Sequence, residues 1–208
     1  MRKILTSLII IAVVAASITA ATMTVFTDQQ TNPGNVFTTG TVILGIDPAT
    51  AMFTVSNMAP GDVKYGGLRV INNGTLELRY AMTTTADNTS TLDEQLDLTI
   101  DVVTGPGVDG IWYTADDVVG AANIYGPNGV LSSAFFGNPA QGQQAGDRTL
   151  ASSASERLRF KATLPLDTDD SYQGTTCTVA FVFDAEQTAS NPYLVCEIGL
   201  RGGTKSLP

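Results

Sequence analysis

The residues best suited to chemistry in this chain are carboxylates in a loop at 105–120, GPGVDGIWYTADDVVG. Asp109, Asp116 and Asp117 surround Gly110, with two aromatic residues between them. Oxygen-rich loops of this kind suit calcium, a hard ion that takes several carboxylate and carbonyl ligands. The spacing is not that of an EF-hand, and a solvated acidic hairpin tip without an ion is the alternative.

Hydrolytic catalysis lacks its usual residue, because the sequence contains no histidine. A zinc peptidase normally binds its metal through histidines, often in a His-Glu-x-x-His helix. Serine and cysteine nucleophiles normally need an imidazole base. We therefore predict no enzymatic activity, no required cofactor and no small-molecule substrate.

Two cysteines, Cys177 and Cys196, lie in candidate strands, TCTVAFVFDA and YLVCEIGL. Each falls on the apolar face of its strand. In an exported protein a disulfide between them is one interpretation. Two buried, unpaired thiols are the alternative, because spacing alone does not show that the two Cβ atoms meet.

The first residues have the order of a secretory signal peptide. Arg2 and Lys3 precede an apolar run that ends in small residues, so we assign residues 1–24 to the signal, with cleavage between 20 and 24. A retained membrane anchor is the alternative. Removing 24 of 208 residues leaves 184, with 9 basic and 20 acidic side chains and a formal charge of −11. This acidic balance argues against nucleic acid as a partner.

Alternation of apolar and polar residues is the dominant pattern along the chain. In LELRYAM (76–82), Glu77 and Arg79 lie opposite an apolar face, and in RLRFKATL (157–164) Arg159 and Lys161 do the same. The runs at 41–46 and 51–55 alternate as well. One dry and one wet face are typical of antiparallel sheets packed on each other. The pattern predicts an all-β antiparallel sandwich.

Turn-forming residues separate these runs, at APGD (59–62), NNGT (72–75), TGPG (104–107) and GPNG (126–129). The Gly-rich stretch 105–150 is interpreted as an insertion of loops and short strands. One short helix is predicted in STLDEQLDL (90–98), with Ser90 as N-cap and acidic residues in the first turn. We predict that the rest of the mature chain, residues 35–208, forms a single domain.

Four features together resemble the TasA/camelysin family of exported surface and biofilm-fibre proteins. They are FTDQQTNPGNVFTTGTVILGI behind the signal, NMAPGDVKYGGLRVINNGTLELRYAM, LPLDTDDSYQGTTCTVAFVFDAEQT, and the spacing among them. The stretch 105–150 is not covered by the resemblance. Camelysin-like members have been classed as metallopeptidases, which conflicts with the absence of histidine.

The resemblance implies a jelly-roll β-sandwich that polymerises outside the cell by donating a strand. The donor segment and hinge are then residues 25–34, with Val25 and Phe26 as plugs, Asp28 in the family's Phe-x-Asp pattern, and Pro33 and Gly34 in the hinge. The partners implied are other copies of the chain, joined head to tail, and a signal peptidase during export. Without the resemblance, an ordinary hairpin over 25–46 is an equal interpretation.

Three functions follow from these patterns. The first is a secreted structural subunit of a surface filament or biofilm matrix fibre. The second is a monomeric, calcium-stabilised adhesion module of the cell surface, and the third is a camelysin-like secreted metallopeptidase. We favour the first, with an extracellular location.

Overall fold

In a computed structural model, the chain is described at Ile4, Ile9 and Val36 and over residues 38–55, 57–87 and 91–191. It divides into two compact units, residues 1–38 and 39–208. Nearly all of the first unit, including the predicted signal peptide, lies outside the described residues. Within the described part, the chain has no helix with the length and apolarity needed to cross a bilayer.

The second unit is built of antiparallel strands in two sheets. The strand bounds are β1 Leu44–Asp47, β2 Val63–Asn72, β3 Leu78–Ala86, β4 Asp97–Gly105, β5 Val118–Val130, β6 Phe135–Phe136, β7 Arg148–Leu150, β8 Ser155–Thr163 and β9 Val179–Gln187. The first sheet has the order β1-β2-β8-β4-β5, and in the second β3 pairs with β9 along its whole length. The short strands β6 and β7 share the other edge of β3.

The core lies between the two sheets and follows the predicted alternation. Leu78, Tyr80 and Met82 of β3 and Leu158 and Phe160 of β8 are completely buried. A four-residue helix, α1 (Leu92–Gln95), precedes β4, although its N-cap is Thr91 and that side chain makes no capping hydrogen bond. The predicted fold class, a jelly-roll-like antiparallel β-sandwich with a short helix, is confirmed.

A polar triad crosses the core and joins the two sheets. Tyr80 of β3 donates its hydroxyl hydrogen to Glu156 of β8, and Arg148 of β7 donates to both oxygens of the same carboxylate at 2.6 Å. Burial, with the negative charge of Glu156 close by, raises the pKa of Tyr80 well above its ordinary value. The hydroxyl therefore remains a donor, and the triad leaves no buried charge unpaired.

Two arginines predicted on wet faces are instead buried, and that expectation was wrong. Arg79 is 2% exposed and Arg159 is 8% exposed. Arg79 Nη1 lies 2.8 Å from the buried carboxylate of Asp147, and its guanidinium also pairs with Glu186. Arg79 Nη1 donates to the carbonyl of Asn138 as well, at 2.8 Å. Loops cover the outer faces of both sheets, and the arginines bind those loops.

Two further stretches differ from the prediction. The insertion at 105–150 contains β5, a strand of 13 residues, where only short strands were expected. The run 51–55 is not a strand; Met52 and Phe53 pack against the core from an irregular segment. Because these two adjacent residues both contact the core, the alternation of 51–55 does not correspond to the two faces of a strand.

Candidate functional site

The residues predicted to mediate polymerisation lie outside the described part of the chain. Val25, Phe26, Asp28, Pro33 and Gly34 all fall in that category. Their role as donor segment and hinge therefore stays a prediction. The described residues contain the other two candidate features, the acidic loop and Cys177.

The acidic loop is closed by Asp116. Its Oδ2 accepts hydrogen bonds from the backbone amides of Val108, at 2.7 Å, and Asp109, at 3.2 Å, and Thr114 donates its hydroxyl to Oδ1 at 2.8 Å. These bonds, that from Thr114 first, lower the pKa of Asp116. The carboxylate thus holds the two sides of the loop together, which is a common role for aspartate in turns.

The other two predicted ligands also bind backbone amides. Asp109 Oδ1 accepts from the amide of Ile111 at 2.8 Å, and Asp117 Oδ2 accepts from that of Tyr113 at 2.9 Å. Tyr113 has a positive φ of 68°, which marks a sharp turn in the chain. The second oxygen of Asp117 is buried and has no hydrogen-bond partner.

The three acidic side chains of the loop bind backbone amides at separate points. Among the described residues no three His, Cys, Asp or Glu side chains are grouped so that they could hold a metal ion. A calcium ion bound here would need backbone carbonyls as ligands in addition to the unpartnered oxygen of Asp117. Calcium binding by Asp109, Asp116 and Asp117 stays a prediction.

Two arginines of β8 fix the loop to the outer face of the first sheet. The Arg157 guanidinium lies 4.2 Å from the ring centroid of Trp112 and donates to the hydroxyl of Tyr113 at 3.2 Å. Arg159 donates to the carbonyl of Thr114 and to Asp101, both at 2.8 Å. No local pattern indicated that these side chains meet, because 44 positions separate Arg159 from Ala115, whose carbonyl it also contacts.

Two adjacent glycines of β2 make room for aromatic rings on opposite faces of the sheet. A Cβ at Gly66 would lie 3.0 Å from the Phe53 ring, and one at Gly67 would lie 2.1 Å from Tyr113. Successive residues of a strand point to opposite faces, so the pair admits Phe53 on the core side and Tyr113 on the loop side. This Gly-Gly pair within an apolar strand was the available sequence signal, since glycine in a strand often marks a close approach.

Cys177 precedes β9 and is partly buried. Burial, together with the nearby charges of Asp93 and Asp87, raises the pKa of its thiol, so the thiol stays protonated and unreactive near neutral pH. It forms no disulfide with any described residue. Cys196 lies outside the described residues, and the disulfide between the two stays a prediction.

A second group of acidic residues, Asp167, Asp169 and Asp170, lies ahead of β9. Asp169 Oδ1 accepts from the amide of Ser171 at 2.8 Å and begins a 3-10 turn, Asp170–Tyr172. This cluster therefore shapes the chain ahead of β9.

The fold is that of a β-sandwich protein. Its buried arginines hold loops of the same chain, including the acidic loop, against the outer faces of the two sheets. The comparison with protein families gives a more specific assignment. Residues 1–102 match the model of the camelysin metallo-endopeptidase family. This match identifies residues 1–102 with the camelysin, TasA-like family, and the similarity indicates a cell-surface or secreted protein.

Other comparisons add little. No curated protein matches the sequence. Among solved structures, the chain is similar to the ASH / PapD-like domain of human CEP192 (PapD-like domain 7), with 12% identity over 77% of this chain and 97% of that one. The TM-score is 0.27.

Proposed function

We propose that the chain is a secreted structural subunit of an extracellular filament or biofilm matrix fibre. Subunits join head to tail when the segment 25–34 of one copy completes a sheet of the next. Val25 and Phe26 fill the acceptor, Asp28 continues the donor strand, and Pro33 and Gly34 form the hinge. An extended segment that adds to a sheet edge gains backbone hydrogen bonds, and its side chains fill pockets.

The observation that carries this proposal is the extent of the family match. It covers residues 1–102, which include the segment behind the signal as well as the strands from β1 to most of β4. The similarity therefore includes the predicted donor and not only the sandwich.

The chemistry of the chain supports a structural role over the peptidase role in the family's name. No histidine is present to bind zinc or to act as a base. In the acidic loop, Asp109, Asp116 and Asp117 all accept hydrogen bonds from backbone amides. These aspartates are used to shape the loop.

Electron microscopy of secreted protein from paired variants tests the proposal. Val25→Ser/Phe26→Ser removes the apolar plugs, and Thr27→Ser/Thr31→Ser changes other positions of the same segment while keeping their polarity. We expect filaments from the parent and the threonine variant and none from the first variant, although its secretion and far-UV spectrum remain normal. Filaments of parental length from Val25→Ser/Phe26→Ser would contradict the proposal.

A peptidase is the second candidate, favoured only by the description of the matched family. Purified protein would then degrade casein, and a chelator would stop it. We expect no turnover above that of a mock purification. Turnover that the chelator abolishes and zinc restores would replace the structural proposal with an enzymatic one.

A further inference from the structure

A groove is bordered by β5 of the first sheet, β6 of the second sheet and the loop ahead of β7. Its volume is about 520 Å³, which lies within the range of small-molecule sites, roughly 300–1,000 Å³. None of the described residues that line it is charged, and four of them are glycine. The groove therefore has room for a ligand and carries no charge that would select an ion.

Two aromatic rings form one wall of the groove. Tyr125 of β5 and Phe135 of β6 have ring centroids 6.3 Å apart, with their planes at 53°. Phe135 is 58% exposed, so a large apolar area of its side chain lies in water. A ligand that packs on this ring removes that area from water, which favours binding.

The backbone around β6 holds Phe135 in its exposed position. Phe136, the next residue, is buried and packs edge-to-face on Tyr80 of β3, with centroids 5.8 Å apart. Thr84 of β3 donates its hydroxyl to the carbonyl of Ala134 at 3.1 Å. Successive residues of a strand point to opposite faces, so the burial of Phe136 directs Phe135 outward. The exposure of Phe135 is therefore set by the fold.

The Tyr125 ring is also fixed before any ligand arrives. Its hydroxyl donates to the carbonyl of Val130 at 2.8 Å. A Cβ at Gly129 would lie 2.5 Å from Cε1 of Tyr125, so the glycine leaves the space that the ring occupies. A wall that is already ordered loses little conformational entropy on binding.

Glycines supply the polar part of the groove. Gly126, Gly137 and Gly146 have positive φ values of 92°, 67° and 86°, which other residues rarely adopt. A residue without a side chain lets a ligand approach its backbone closely, so its amide and carbonyl can form hydrogen bonds. Asn123 lines the groove as well and brings an amide side chain that both donates and accepts.

We propose that this groove binds a neutral carbohydrate, with a sugar ring packed on Phe135 and Tyr125. The C–H groups on the face of a sugar ring pack against the negative face of an aromatic ring. Each sugar hydroxyl donates and accepts, which suits a wall of backbone amides and carbonyls. In a chain with a formal charge of −9, an uncharged lining fits a neutral ligand and leaves an ionic one without a counter-charge.

Other classes of ligand fit the groove less well. A purely apolar molecule would cover backbone amides and carbonyls without giving them partners, which costs free energy. A peptide added as a strand needs evenly spaced backbone groups. β5 contains Pro127 and has repeated register shifts along β4, so it does not offer them.

Binding of neutral oligosaccharides to the full-length secreted protein tests the proposal. The probes are hexasaccharides of glucose, galactose, mannose and N-acetylglucosamine, measured by saturation-transfer NMR and by calorimetry. A galacturonate hexasaccharide is the charged control. We expect at least one neutral probe to bind at millimolar concentration and the galacturonate not to bind. Phe135→Ala should weaken the binding about tenfold, because it removes the exposed ring.

Val182→Ala is the matched control variant. Val182 and Phe135 lie in one row of the second sheet, on either side of Thr83, and Val182 is 41% exposed but does not line the groove. Both variants truncate exposed side chains, so both should keep the melting temperature of the parent to within a few degrees. Val182→Ala should also keep the parent's affinity for the sugar.

Four results would overturn the proposal. They are no binding of any neutral probe, equal affinity of the parent and Phe135→Ala, equal losses in the two variants, and binding of galacturonate in place of the neutral sugars. The proposal is independent of filament formation, because the groove is made by residues between 123 and 146. Val25→Ser/Phe26→Ser should therefore lose filaments and still bind the sugar, so failure of either proposal leaves the other testable.

Discussion

The Tyr113 ring packs directly against Gly67, so close that a methyl group on Gly67 would lie 2.1 Å from Tyr113 Cδ1. This contact joins the acidic loop to the middle of β2. It lies beside the stacking of Arg157 on Trp112, the one tryptophan of the chain. Trp112 fluorescence therefore reports whether the loop is docked.

Substitution of Gly67 by alanine should displace the loop. The added methyl group would collide with Tyr113 and with the carbonyl of Leu158, and overpacking of this kind costs about 1–3 kcal/mol. Urea unfolding should show that loss, with a red-shifted Trp112 emission before unfolding. The loss should shrink but not vanish in Gly67→Ala/Tyr113→Ala, because the clash with Leu158 remains. If the losses in free energy of unfolding of Gly67→Ala and Tyr113→Ala simply add in the double variant, the contact between the two residues is unimportant.

Removal of the Arg159 charge should destabilise the fold strongly. Arg159→Met leaves the buried Asp101 carboxylate without its cation and breaks the bond to Thr114. Breaking a buried pair by removing one partner costs about 3–5 kcal/mol. Arg69→Met is the control, since the Arg69–Asp47 pair is largely exposed and such pairs contribute roughly 0–1 kcal/mol. Similar unfolding midpoints for the two variants would show that the buried bonds of Arg159 to Asp101 and Thr114 contribute little to stability.

The loop should loosen in acid. Hydrogen bonds from Thr114 and two backbone amides lower the pKa of Asp116 in the folded loop, so the folded state holds its proton less tightly than the unfolded state. The resulting stabilisation is present above the ordinary aspartate pKa and is lost as pH falls below it. Trp112 emission followed through acid titration should show this transition, and Asp116→Asn should remove it.

Asp169→Asn is the matched control for the acid titration. Asp169 also has a lowered pKa, through its bond to Ser171, but it lies outside the loop. Its variant should keep the transition of Trp112. If both variants titrate like the parent, another group controls the loop.

Calcium should stabilise the protein if the acidic loop binds it. A free ligand at ten times its dissociation constant adds about 1.4 kcal/mol to the free energy of unfolding. We expect millimolar calcium to raise the melting temperature and magnesium to have less effect, because magnesium gives up its water reluctantly. Asp117→Asn, which alters the unpartnered oxygen, should abolish the difference. Equal curves with both ions would favour the solvated hairpin.

The sequence by itself determined the class of fold. Alternation at 76–82 and 157–164 fixed which side chains face the core, because a strand has a period of two and burial of apolar surface is the main driving force. The turns at 59–62 and 72–75 were equally readable, since they use residues suited to tight turns. Family membership was also recognisable from motifs along the chain.

Only the tertiary structure decided what covers each sheet. Arg79 and Arg159 alternate as solvent-facing residues would, yet loops distant in sequence bury them and supply their partners. Alternation shows which way a side chain points but not what packs above it. The roles of Gly66 and Gly67 and the bulged course of β5 are likewise products of contacts between distant segments, which no local pattern encodes.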